Sequence, residues 1–188
     1  MVKKVNAVCG LAIIVTVLVH IGCEVYTAVT LSVNNFLLKM TAHTTLSLAV
    51  LHAILSGIAV FFLRDRGKGM LYPGLNIRTI IQRVSAVLMI VLLIMHPSTM
   101  ELLSSYAGSN GVMFTAVLII QILFFAVVLL HVAVSAGNAL ITLGLVSTEK
   151  ARRNIDIAVW VICAVVFVAA SVAVLKAEIS LFGGGGIT

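Results

Sequence analysis

Charge is scarce in this chain of 188 residues: only 10% are Asp, Glu, Lys or Arg, against roughly 25% in a soluble domain. With 62% hydrophobic residues and a mean hydropathy of +1.24, that scarcity excludes an ordinary soluble globular protein. Proline is nearly missing too. The only two, Pro73 and Pro97, leave long helices free to run unbroken. The three cysteines, Cys9, Cys23 and Cys163, are scattered through apolar segments. They give neither a disulfide framework nor a metal-ligand spacing and read as small apolar packers. Strand alternation is absent, which argues against an outer-membrane barrel. No loop is long enough to form a catalytic domain, and no internal repeat is visible.

What the chain does have is long apolar runs. Five of them cover residues 5–29, 41–63, 79–98, 112–146 and 155–176. Each reaches the roughly 20 residues that a helix needs to cross ~30 Å of hydrocarbon, and the fourth runs several turns longer. Helices satisfy their backbone groups internally, so the expected fold is an all-α integral membrane protein, a five-transmembrane-helix bundle. It forms a single domain over 1–182, followed by a flexible glycine-rich tail at 183–188. The first run is too long for a signal-peptide core and is read as a retained helix. If the helices alternate, ten of the twelve basic residues fall on one side, with only Lys39 and Lys176 on the other. That asymmetry predicts a cytoplasmic amino terminus, an outside carboxyl terminus and a multi-pass protein of the inner (cytoplasmic) membrane. The net charge of +6 is then topological. It does not point to nucleic acid, although a basic cytoplasmic face also suits an acidic soluble partner.

The stretch from Arg78 to Pro97 organises the rest. It opens with Arg78 and Arg83, continues as an apolar run and ends on His96 and Pro97. Charged and imidazole side chains are costly in lipid and call for a functional explanation. Histidines also occur on the first, second and fourth runs, as His20, His52 and His131. Counted from the cytoplasmic ends at ~1.5 Å per residue, His20 and His96 lie at roughly 22 and 25 Å, and His52 and His131 at roughly 16 and 16–22 Å. The four therefore form an outer pair and an inner pair. Two pairs of neutral imidazoles at two depths are what two bis-histidine b-type haems require. His43 falls at the outer interface as the alternative to His52. The competing readings of the four are relay or packing histidines.

At these residues the sequence resembles the membrane-anchor cytochrome b of the succinate dehydrogenase and fumarate reductase family, in its single-chain, five-helix, di-haem form. The family segment Ser-x-x-His-Arg-Val-Ser-Gly is matched by Thr79-Ile-Ile-Gln82-Arg83-Val84-Ser85-Ala86. The family's next haem histidine, followed by small and apolar residues, is matched by His131-Val-Ala-Val-Ser-Ala-Gly137. Gln82, Ala86 and Thr79 depart from the family's residues at their positions. The resemblance implies that the first helix pairs with the third and the second with the fourth, the same pairing that the depths suggest.

It also implies a flavoprotein subunit and an iron–sulfur subunit docked on the cytoplasmic face. Electrons would pass between them and a membrane quinone, menaquinone or ubiquinone, through two haem b groups. The chain itself would be a non-catalytic electron-transfer subunit. Thr79, Arg83 and Ser85 match quinone-binding positions, and Arg78 is expected at a haem propionate or the quinone. Glu24, one turn beyond His20, is the candidate for proton exchange, with Glu101 behind it. Two alternatives stay open. One is the cytochrome b subunit of a membrane hydrogenase or formate dehydrogenase. The other is a haem-free small transporter or assembly protein.

Overall fold

The computed structural model describes residues 1–30, 35–61, 73–107 and 109–182, and these are helical almost throughout, with no strand among them. The helices are α1 (Val2–Thr30), α2 (Asn35–Phe61), α3 (Pro73–Met95), α4 (Thr99–Tyr106), α5 (Gly111–Thr142) and α6 (Glu149–Phe182), with a single 3-10 turn at His96–Ser98 between α3 and α4. Five of them, all but α4, are long and apolar enough to cross a membrane. The chain is a multi-pass membrane protein. The tail expected to be flexible, 183–188, and the turn at 62–72 lie outside the described residues.

The helix ends differ from those read off hydropathy, because a helix need not stop where it leaves lipid. The charged stretch from Thr148 to Asn154, expected as a turn, is the cap and opening of α6. Thr148 Oγ1 accepts from Ala151 N–H at 3.2 Å, and Glu149 stands in the first turn, where a negative charge suits the helix dipole. α3 starts at Pro73 rather than Thr79, since proline fits a first helical turn. The outer segment expected as a loop over 99–111 contains α4, whose Leu103 is fully buried against Val117 and Leu118 of α5. α5 starts on Asn110, whose side chain accepts from Met113 N–H. It ends earlier than the apolar run, at Gly144. There φ is +78°, and Leu145 N–H and Gly144 N–H bond back to the carbonyls of Leu140 and Ile141. That is a glycine-terminated helix end, a conformation that residues with a Cβ adopt at a cost.

α5 is the hub. It packs against α1, α3, α4 and α6, while α2 packs on α1. The core joins Phe124, Phe125, Val128, Leu129 and Ala133 of α5 to Ile21 of α1 and to Cys163 and Ala170 of α6. Lipid gives apolar surfaces no reason to leave it, so close backbone approach through small residues matters more. Ala133 of α5 and Ala170 of α6, at 0% and 1% exposure, are the most buried residues of this core. The apolar faces of α2 and α3, among them Val50, Ile54, Val87 and Val91, remain outward as lipid-facing surface.

Candidate functional site

The bundle presents two walls. α1 and α2 form one and carry His20 and His52. α3, with the 3-10 turn that continues it and opens on His96, and α5, which carries His131, form the other, and α1 also packs directly on α5. Across the gap, the rings of His20 and His96 meet with centroids 6.4 Å apart and planes at 85°. Phe124 lies against the other side of His96, at 4.8 Å.

Each of these imidazoles except His52 has its Nδ1 engaged by a neighbouring helix. His20 Nδ1 is 3.2 Å from Thr41 Oγ1 on α2. His96 Nδ1 is 3.2 Å from Gln121 Oε1 on α5. His131 Nδ1 is 3.0 Å from Ser85 Oγ on α3. The partners behave as acceptors. Thr41 directs its hydroxyl proton to the carbonyls of Leu37 and Leu38, at 2.9 and 3.0 Å, and Ser85 directs its own to Gln82, at 3.1 Å. The Gln121 oxygen also receives Thr99 Oγ1, at 3.2 Å. A proton on Nδ1 satisfies all three of these contacts at once, and in that tautomer the Nε2 lone pair is the one available to a metal. His52 is the exception. Its Nδ1 is buried without a hydrogen bond, and its ring lies against Gly10 of α1, where an added Cβ would sit 3.3 Å from Cε1.

The two levels repeat at a fixed spacing. Gly10 and His20 on α1 are ten residues apart, as are Gln121 and His131 on α5. Thr41 and His52 on α2, and Ser85 and His96 on α3, are eleven apart. At ~1.5 Å per residue the levels are about 15–16 Å apart; eleven residues return a side chain to within about 20° of the same face, and ten leave it about 80° short.

Among the described residues no three His, Cys, Asp or Glu side chains converge on a point that could hold a bare metal ion. Two axial imidazoles suffice when a macrocycle supplies the other nitrogens. A metal–imidazole bond is about 2 Å and the ring centre lies about 1 Å further back, so two ligands of one iron stand about 6 Å apart between centroids. The 6.4 Å between the ring centroids of His20 and His96 is of that size.

The remaining candidates are distributed around this frame. Glu24 is partly buried, its Oε1 4.0 Å from His20 Nε2. His43 and Glu101 are exposed. Thr79 and Arg83 lie one turn apart on the outward side of α3, whereas Ser85, grouped with them by sequence, is buried and turned to His131. Arg78, expected at a propionate or quinone, is engaged by a residue that sequence reasoning passed over. Its Nη1 and Nη2 donate to Asp156 Oδ2 and Oδ1 at 2.8 and 2.9 Å, and its Nε donates to the Val134 carbonyl at 2.8 Å. This joins α3, α5 and α6 at the basic end and leaves room for no side chain at Gly137. Beside it, an open cleft of about 820 Å³ is lined by Arg78, Arg152, Arg153, Asp156 and Trp160. Thr41 and Gln121 were also missed as site residues. Their signal was a polar side chain ten or eleven residues from a histidine on a largely apolar helix.

No protein-family model, curated protein or solved structure matches this chain.

Proposed function

We propose that this chain is a di-haem cytochrome b of the inner membrane. In this reading it passes electrons between a membrane quinone and a flavoprotein/iron–sulfur dehydrogenase of the succinate/fumarate type docked on its basic, cytoplasmic end. The observation that carries the reading is the set of four imidazoles on four helical segments, two of them meeting at 6.4 Å and three of them held through Nδ1 by a side chain of a neighbouring helix. The dehydrogenase partners come from the resemblance of residues 79–86 and 131–137 alone.

His20 and His96 would hold the outer haem through Nε2, and His52 and His131 the inner one. Bound there, each haem would supply reversible one-electron chemistry at a potential set by its axial imidazoles and apolar surroundings. The chain's own part is to orient the rings, exclude water and manage the proton. Phe124, Phe125 and Val128 keep the outer site dry. Thr79 and Arg83 offer a hydroxyl and a guanidinium on one outward face of α3, suited to a quinone oxygen that gains charge on reduction. Glu24, beside His20 on its outer side, would give or take the quinone's proton there. Arg78 acts through Asp156 as the clamp on the inner ends of α3, α5 and α6.

The test is a dithionite-reduced minus oxidised spectrum of the purified chain, with haem counted per polypeptide. Two b-type haems are expected. His20→Ala and His96→Ala should each remove one and the same haem, and His52→Ala and His131→Ala the other. Absence of b-type α-bands in the wild-type protein, or any other pairing of losses, overturns the assignment.

A further inference from the structure

We infer that Thr41, Ser85 and Gln121 are positioning residues for the haem ligands, and that they act crosswise: each supports an imidazole at the level opposite to the histidine on its own helix. This rests on the di-haem reading above. Thr41 shares α2 with the inner ligand His52 but accepts from the outer ligand His20. Ser85 shares α3 with the outer ligand His96 but accepts from the inner ligand His131. Gln121 shares α5 with the inner ligand His131 but accepts from the outer ligand His96.

Two features make this more than incidental contact. The first is the proton accounting. The hydroxyls of Thr41 and Ser85 have backbone carbonyls to donate to, and the Gln121 amide oxygen has no proton to give. All three present a lone pair to Nδ1. A ring that donates through Nδ1 keeps Nε2 bare and becomes a stronger electron donor to a metal bound there. The second is burial. Thr41, Ser85 and Gln121 are 7%, 2% and 8% exposed, on helices whose other faces are apolar. Polar side chains are rare at such depth unless something needs them.

The crosswise layout yields a test that a merely structural role fails. Thr41→Val removes the acceptor and keeps the shape. If Thr41 positions His20, the variant holds the outer haem 10–100-fold more weakly and shifts its midpoint potential upward, while the inner haem, ligated by His52 of the same helix, is unchanged. Ser85→Ala should disturb the inner haem alone and Gln121→Leu the outer haem alone. Thr41→Ser, which restores the oxygen, should recover the wild-type potential. The readouts are haem retention per polypeptide and a redox titration resolving the two haems. A variant that disturbs the haem ligated by its own helix, or both haems together, overturns the inference. So does a full set of variants with two haems at wild-type potentials. A wild-type chain without haem instead overturns the di-haem reading itself, so the two failures are distinct.

Discussion

A single methyl group at Gly137 tests whether the clamp at the basic end holds the bundle together. An added Cβ there would lie 2.5 Å from Asp156 Oδ1 and 3.2 Å from Arg78 Nη2. The first is far inside contact distance, so the carboxylate must retreat and lose its paired bonds of 2.8 and 2.9 Å. Two magnitudes bracket the cost. Polar side-chain pairs inside membrane proteins couple by about 0.6 kcal/mol on average and 1.7 at most. Breaking a buried ion pair in a soluble core costs about 3–5 kcal/mol. The Arg78 and Asp156 side chains are 18% and 23% exposed, near an end where water reaches, so about 2 kcal/mol is expected for the loss of the pair. Alanine also favours helix over glycine by about 1 kcal/mol, which leaves Gly137→Ala destabilised by about 1 kcal/mol. The same substitution placed in Asp156→Ala meets no carboxylate, and only the helix propensity remains. Its sign should invert, to a gain of up to about 1 kcal/mol. Trp160, the only tryptophan, lines the cleft beside this pair, so its fluorescence can follow unfolding in mixed detergent micelles. An equal effect of Gly137→Ala in both backgrounds would refute the clamp.

Two further outcomes follow from the site. Gly10→Ala pushes a methyl to 3.3 Å from the His52 ring, which has no Nδ1 partner to hold it; difference spectra should show the inner haem weakened and the outer haem intact. Arg83→Leu removes the outward guanidinium from α3, so both haems should stay reducible by dithionite while reduction by a quinol analogue slows at least tenfold; unchanged quinol kinetics would exclude Arg83 from the quinone site.

The spans were legible because membrane solvation leaves a signal that needs no tertiary context. Twenty apolar residues in a row have few other uses, and all five expected crossings are there. What hydropathy could not mark were helical residues outside the lipid. α4 is short and carries Glu101 and Ser104, and Thr148 to Asn154 is charged, so both resembled loops. Caps carried the missing information: Asn110, Gly144 and Thr148 each sit where a helix begins or ends, and none of them changes the hydropathy. The partnership of Arg78 with Asp156 was illegible for a different reason. The two are far apart in sequence, and only the small volume of Gly137 on a third helix makes their meeting possible.

The candidate site lay between these extremes. Counting rise along each helix was enough to separate the histidines into two levels, since an α-helix converts sequence distance into depth at a nearly constant rate. The same conversion contained more than the histidines. A separation of eleven residues is close to three turns and returns a side chain to nearly the same face about 16 Å along, while ten residues leave it about a quarter-turn short. Thr41 and His52, and Ser85 and His96, keep the first spacing, and Gly10 and His20, and Gln121 and His131, keep the second. On each helix one member of the pair is an imidazole and the other is a small or acceptor residue that meets an imidazole of the adjacent helix. One helix can carry an imidazole at one level and the support for its neighbour's imidazole at the other only if both side chains lie toward that neighbour, and a spacing within a quarter-turn of three turns allows this. Two helices related in this way constrain each other's rotation about their axes. Turning α2 to reposition His52 also moves Thr41 away from His20, and turning α3 to reposition His96 moves Ser85 away from His131. The reciprocal arrangement therefore gives each helix two points of contact, one at each level, that fix its rotation, while a substitution at one contact leaves the other in place.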